Sequence, residues 1–293
     1  MRDALVSDVL EGFEQWSLTH GDCRPWLRTV PDASVDAVIC DPPYAEVDRD
    51  YGRLTEADWH TLMDDVVAQC RRVLKPTGSA VFILQPNSER VGRMRPWLWE
   101  FMAKWSRAWG MVQDAWWWNT AAMPTVHTHR TRGLMRPSVK ACVWLGAPEC
   151  FRAQDRVLWS AVDQHAADGS AARSARAVGD PVVASPSGQT VRRGRISDTA
   201  RERGGVTPYN VLPMPNTDST SSGGAHDHGA ATPAKLTAWW VRYLCPKGGV
   251  VLDPFTGSGT TGLAALADGA SFLGCEGYAQ HYETAASRLT ARR

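Results

Sequence analysis

The feature that most constrains this chain is a glycine-rich loop near its end. Val250-Val-Leu252 reads as a buried strand, Gly257-Ser-Gly-Thr-Thr-Gly262 follows it, and a helix then runs through Ala267. Glycines between a strand and a helix let a ligand approach backbone N–H groups at a helix N-terminus. A dinucleotide fold would place most of its sheet after such a loop. Only 31 residues follow Gly262, too few for the rest of a six-stranded sheet. Either the match is accidental, or the sheet is circularly permuted and its other strands come earlier in the chain.

Earlier strands are present. Val35-Asp-Ala-Val-Ile-Cys40 is an apolar run that stops at Asp41-Pro42-Pro43-Tyr44, where two prolines fix a stiff turn. Ala57 to Leu74 has apolar residues at periods of three and four and reads as a helix, closed by Lys75-Pro-Thr-Gly78. Ser79–Leu84 is a further strand of the buried type. Strand, helix and strand in alternation predict an α/β fold with a mostly parallel sheet and helices on both faces. A short amphipathic helix is expected between Ala4 and Trp16, a strand at Trp16–His20, a helix between Arg95 and Ala108, and strands at Val112–Trp118 and Val139–Leu145. Near the end, Ala234–Leu244 and Ala279–Leu289 read as helices and Ser271–Cys275 as a strand ending at Glu276. Ala161 to Gly229 is rich in Ala, Ser, Gly, Arg and Asp and poor in large apolar residues, which predicts a partly flexible insertion. The expected organisation is one domain in two halves, 1–150 and 226–293, interrupted by an insertion over 151–225.

Charge is balanced overall but uneven along the chain. Lys and Arg total 32 and Asp and Glu 31, which excludes a uniformly basic nucleic-acid coat. From Pro31 to Asp65 acids outnumber bases ten to two, whereas from Arg90 to Lys140 bases outnumber acids nine to two. A second basic cluster comprises Arg192, Arg193, Arg195, Arg201 and Arg203. The seven cysteines show no C-x-x-C spacing and read as reduced thiols of a cytoplasmic protein, with no metal site. Asp3, Asp8, Glu11 and Glu14 argue against a signal peptide, and no apolar run approaches a membrane span.

Two places carry chemistry. In Asp41-Pro42-Pro43-Tyr44 a carboxylate and proline carbonyls stand together at a strand end, with no proline N–H to compete. An exocyclic base amine has two N–H groups that seek two such acceptors, and Tyr44 offers a face for stacking. Glu276, at the end of the strand after the glycine loop, is placed to accept from a ribose diol.

Asp41-Pro-Pro-Tyr44, followed late in the chain by Asp253-Pro-Phe-Thr-Gly-Ser-Gly-Thr-Thr261, resembles the beta-class amino DNA methyltransferases. Further matches are Gly21-Asp22-Cys23 with Val35-Asp36, Arg72-Val-Leu-Lys-Pro76, His228 with Thr232-Pro233, and Gly274-Cys-Glu276 with Tyr282-Glu283. One departure is Gly229, where the family's His-Pro pair has proline; His226 competes with His228 for that alignment.

The resemblance implies a circularly permuted Rossmann-like methyltransferase sheet with S-adenosylmethionine as cofactor. It implies catalysis by Asp41, Pro42, Pro43 and Tyr44. It implies a cofactor site of Asp22, His228, Thr232, Pro233, Asp253, Pro254, Phe255, Gly257, Ser258, Gly259, Thr260, Thr261 and Glu276. The 151–225 insertion stands where the family carries its target-recognition region. Arg130, Arg132, Arg136, Arg192, Arg193 and Arg195 are candidate DNA contacts. Double-stranded DNA is the expected partner, a cognate restriction endonuclease a further candidate, and the protein is expected as a monomer or homodimer. Asp at the first tetrad position favours adenine N6, since cytosine N4 enzymes more often carry Ser there.

Other features take plainer readings. His127-Thr-His129 lacks a third metal ligand. Trp116-Trp-Trp118 alternates faces on a strand, so one or two of its rings belong in the core. A C5-cytosine mechanism needs a Cys after Pro, and no Pro-Cys pair occurs.

Overall fold

In the computed structural model the described residues are 5–49, 52–121, 134–135, 137–159, 182–184, 190–192, 202–216 and 232–292. They form two compact units, Met1–Arg152 with Asn210–Arg293, and Ala153–Tyr209.

The larger unit is built on a nine-stranded sheet. In chain order its strands are β1 (Trp16–His20), β2 (Val35–Cys40), β3 (Leu74–Leu84), β4 (Met111–Gln113), β5 (Trp116–Trp118), β6 (Val139–Gly146), β7 (Val211–Pro213), β8 (Val250–Asp253) and β9 (Ser271–Glu276). The spatial order is β1-β9-β8-β2-β3-β6-β5-β7, with β4 also paired to β6. From β1 to β3 every pairing is parallel; β6 runs antiparallel to β3, β4 and β5. All six residues of β2 are buried, so its faces must both be covered. The helices are α1 (Val6–Leu10), α2 (Cys23–Thr29), α3 (Glu56–Val73), α4 (Trp97–Ala108), α5 (Ala234–Leu244), α6 (Thr260–Ala267) and α7 (Ala279–Thr290). Parallel strands connected this way put a late segment, β8, between β9 and the early β2. That is the permuted order expected from the position of the glycine loop.

Local chemistry explains the elements that position the site. Thr55 caps α3 by accepting from the Asp58 backbone N–H at 3.1 Å. Glu56 and Asp58 occupy the first turn and Arg71 and Arg72 the last, which suits the helix dipole at both ends. Its inner face buries Trp59, Met63, Val66, Val67, Cys70 and Val73. Trp59 packs edge-on against Trp97 (4.5 Å) and Phe101 (5.3 Å) of α4. All seven cysteines are free and buried.

Three expectations are corrected. The N-terminal helix spans only Val6–Leu10, because Gly12 adopts φ +82° and turns the chain out, leaving Phe13 exposed. The strand expected over Val112–Trp118 is two short strands, broken at Asp114-Ala115. Lys75–Gly78 is not a turn outside the sheet but part of β3. The register slips there, from Val35 opposite Leu74 to Ala37 opposite Ser79. A Cβ on Gly78 would lie 2.9 Å from the Asp36 carbonyl, so only glycine fits the bulge.

The smaller unit has its own pairings. Trp159 and Val206 exchange two backbone hydrogen bonds of 2.9 Å, and Arg203 bonds Asp155 at 2.7 Å. Val182–Ala184 and Thr190–Arg192 form an antiparallel pair.

Asp36 joins the two halves of the larger unit. Its buried carboxylate accepts from Lys75 Nζ at 2.8 Å and from the Val250 backbone N–H at 2.8 Å. Asp36→Ala leaves that N–H and the ammonium without their acceptor. We expect a loss of about 1–3 kcal/mol in urea unfolding.

Candidate active site

The site is made by three carboxylates at the carboxyl ends of three adjacent parallel strands. Glu276 ends β9, Asp253 ends β8, and Asp41 follows directly on β2. Ligands of open α/β sheets bind at such strand ends. All three acids line one cleft of about 650 Å³. The cleft is also lined by Asp22, Pro42, Pro43, Tyr44, Thr232, Pro254, Phe255, Gly257, Ser258, Thr260 and Thr261, which the sequence nominated.

At the β2 end, Asp41 gathers donors. Tyr44 Oη donates to its Oδ1 in a short contact, and Thr232 Oγ1 donates to its Oδ2 at 2.6 Å. Lys140 Nζ, from β6, reaches Oδ2 at 3.4 Å and Tyr44 Oη at 2.8 Å. The turn is held from below: Trp59 Nε1 donates to the Pro43 carbonyl at 2.6 Å. Thr232 thus stands beside Asp41 as well as in the cleft wall.

At the glycine loop, each glycine answers a different need. Gly257 has φ +54° and a Cβ there would meet no atom closer than 4.0 Å, so the backbone is open to the cleft. Gly259 has φ +86° at the start of α6, and a Cβ would come within 3.2 Å of Ala285. Gly262 lies 2.8 Å (as a built Cβ) from the Phe272 ring, so it sets the helix-to-strand approach. Glu276 accepts from the Gly257 and Tyr278 backbone N–H groups at 2.7 and 2.8 Å. Burial pushes its carboxyl above the usual range, and these bonds work against that.

Asp253 is 2% exposed. Burial pushes its carboxyl up to about 7, with a hydrogen bond from Thr261 and one from the Phe255 N–H pulling the other way and the charges of Glu276 and Asp41 adding to the rise. A ligand bearing positive charge would relieve this crowding. The donor set, a buried acid, an acid fixed by two N–H groups and an open glycine backbone, fits a cationic amino acid joined to a nucleoside.

Of the nominated residues that the structure describes, Gly259 and Pro233 do not line the cleft. Pro233 caps α5 and its carbonyl accepts from Thr237 Oγ1 at 3.3 Å. Asp22 caps α2 and pairs with Arg24 at 2.6 Å, which holds its carboxyl below the usual range. His228, Arg130, Arg132, Arg136, Arg193 and Arg195 lie outside the described residues, as does the side chain of Arg192. Trp117 is buried and Trp118 is 40% exposed. Sequence reasoning passed over Lys140 and Trp59 as site residues. One was counted in a basic run and the other as a core position of a helix.

A tetrad that presents acceptors beside a glycine loop on the neighbouring strand is the arrangement of a DNA amino-methyltransferase, and the family match assigns the chain to that class. The chain belongs to the N6/N4 DNA methylase family, whose profile matches residues 35–287, and this family uses S-adenosylmethionine. The chain is 25% identical to type II methyltransferase M.PvuII of Proteus hauseri over 93% of this chain and 83% of that protein. It is 24% identical to DNA adenine methyltransferase YhdJ of Escherichia coli (strain K12) over 95% and 84%. Its fold matches the PvuII DNA methyltransferase (cytosine-N4-specific) with a TM-score of 0.70 and 19% identity, covering 94% of this chain and 86% of that one. It matches the M1.HpyAVI–SAM complex with a TM-score of 0.57 and 18% identity, covering 94% and 98%. Among the described residues no helix is long and apolar enough to cross a membrane.

Asp253 yields a pH test of the free protein. Its folded value, about 7, exceeds the usual 3.8, so the folded state holds a proton that the unfolded chain has released. Its contribution is therefore full below about pH 4 and is lost as pH rises to about 7. Urea midpoints at pH 5 and 7.5 should show Asp253→Asn gaining on the wild type as pH rises. Parallel pH profiles would contradict the assignment.

Proposed function

We propose that this chain methylates the N6 amine of adenine in double-stranded DNA, using S-adenosylmethionine. The observation that carries this reading is Asp41, a carboxylate at the end of β2, facing the same cleft as Asp253 and Glu276. By the family pattern, Asp at that position favours adenine, since cytosine N4 enzymes more often carry Ser there.

The target base leaves the stack to reach the cleft, because its amine is inaccessible within the duplex. Asp41 and the Pro42 carbonyl accept the two amine N–H groups. This draws the nitrogen lone pair out of ring conjugation and aims it into the cleft. Tyr44 supplies a face for the base. When bound, the cofactor would supply an electrophilic methyl on a sulfonium, and the amine nitrogen that accepts it would give up one proton to water. Asp253 is assigned to the cofactor's ammonium, Glu276 to its ribose hydroxyls, and the Gly257–Gly259 backbone to its methionyl part. The chain's contribution is positioning and fixed charge, and it forms no covalent bond to the base.

Residues 151–225 are assigned to target recognition. Arg130, Arg132, Arg136, Arg192, Arg193 and Arg195 are assigned to the DNA backbone, and a cognate restriction endonuclease to the partner role. The proposed location is the cytoplasm. A second reading, cytosine N4, is favoured by the likeness in fold to the cytosine-N4-specific PvuII methyltransferase.

Methyl transfer to duplex DNA followed by nucleoside analysis tests the reading. N6-methyladenine is the expected product, and N4-methylcytosine alone would overturn the base assignment. Asp41→Ala should lower kcat by at least about 10³-fold while cofactor affinity stays within a few fold, since Asp41 acts mainly as the nitrogen gains charge. Tyr44→Ala should be severe, and Tyr44→Phe, which keeps the stacking face, milder at about a tenfold loss of kcat. Separately, Glu276→Ala should weaken cofactor binding by about 1–3 kcal/mol in calorimetry.

A further inference from the structure

Lys140 is a cation in an enclosed place. It lies on β6 opposite Trp117 of β5, and its side chain is only 12% exposed. Its ammonium sits 5.2 Å from the centroid of the Tyr44 ring and 5.2 Å from that of Trp117. It donates to Tyr44 Oη at 2.8 Å and reaches Asp41 Oδ2 at 3.4 Å.

An ammonium has three donors and no acceptor. The Tyr44 oxygen must therefore accept from Lys140, and its single proton must point elsewhere. It points to Asp41 Oδ1. Lys140 thus sets the direction of the chain from ammonium to phenol to carboxylate. It also pins the ring by its oxygen and by its face, since a cation over an aromatic ring is attracted to it. Of the donors to Asp41 Oδ2, Thr232 is close at 2.6 Å and Lys140 is distant at 3.4 Å. The distant one is the bond an incoming amine displaces at least cost.

We propose that Lys140 is a positioning residue for methyl transfer: it fixes the Tyr44 ring and, through the Tyr44 hydroxyl, aims Asp41 at the base amine. This rests on the reading of Asp41 as the amine's acceptor. Lys140 does not act by stabilising the charge on the nitrogen, because a like charge nearby opposes it. Nor is it read as a phosphate contact, because two of its three donors are directed at Tyr44 and Asp41 and its side chain is only 12% exposed.

The test compares Lys140→Met, Lys140→Arg, Tyr44→Phe and the double variant Lys140→Met/Tyr44→Phe in the full chain. Cofactor affinity by calorimetry serves as the check of folding. Lys140→Met should lower kcat about tenfold, with KM for DNA and cofactor affinity changed less than about threefold. Lys140→Arg should recover most of kcat. In the Tyr44→Phe background the loss caused by Lys140→Met should shrink to about twofold, because the oxygen it held is gone. An unchanged kcat in Lys140→Met overturns the proposal, as do independent, multiplying losses in the double variant. A raised KM with a shallower salt dependence and normal kcat would make Lys140 a DNA-backbone contact and also overturn it. If Lys140→Met fails to bind cofactor, the Lys140→Arg and Tyr44→Phe kinetics decide: wild-type kcat in Tyr44→Phe overturns the proposal. Full activity in Asp41→Ala would instead sink the underlying reading, and is distinguishable because it does not involve Lys140.

Discussion

The parallel pairing of β2 with β8 is the constraint on which this molecule depends. It places Val251 and Leu252 beside Ala37 and Val38, and so brings Asp41 and Asp253 to neighbouring strand ends. Without that register the tetrad and the glycine loop would be separate turns. The pairing is secured at its start by the Asp36 carboxylate, which reaches across 214 residues to the Val250 N–H. A buried carboxylate is tolerated there because Lys75 neutralises it. The apolar run Val35–Cys40 supplies the rest, since a strand buried on both faces leaves water no access to its hydrogen bonds.

From that register follows the electrostatic character of the cleft. Three acids converge where few bases compensate them, and the most buried of them, Asp253, is poised near neutrality rather than fully charged. Repulsion between Asp253, Glu276 and Asp41 adds to the rise in the Asp253 carboxyl. It becomes complementarity when a positively charged ligand enters. Gly257 serves the same end: its backbone N–H reaches Glu276, and it puts no side chain into the space.

Much of this was legible in the sequence. The glycine loop, with apolar strand-like runs before it in the chain, left a permuted sheet as one of two readings, and the strands around Asp41, Asp253 and Glu276 were marked by short apolar runs ending in an acid. What escaped was whatever depended on one side chain meeting another far along the chain. Lys140 looked like one more base in a basic stretch; only the antiparallel register of β5 and β6 turns it toward Tyr44. Trp59 fitted the apolar stripe of its helix, and nothing in a period of three and four reveals that its indole N–H reaches Pro43. The bulge at Gly78 was read as a turn because Pro-Thr-Gly has turn chemistry. Its alternative, a slipped register, depends on the partner strand. Gly12 broke the first helix earlier than its apolar spacing implied.

The long reach between β2 and β8 also orders events in time. A ribosome adds about 5–20 residues per second, so β2 and β3 exist for roughly 10–40 s before β8 is made. Throughout that interval one flank of β2, entirely apolar in the finished protein but for Asp36, carries unpaired backbone groups. Such a flank is a template for any other extended chain. Association with the wrong partner therefore competes with maturation until residue 250 has been made. The strand that ends this vulnerability also carries Asp253, so protection of β2 and the second of the cleft's three acids arrive in one step.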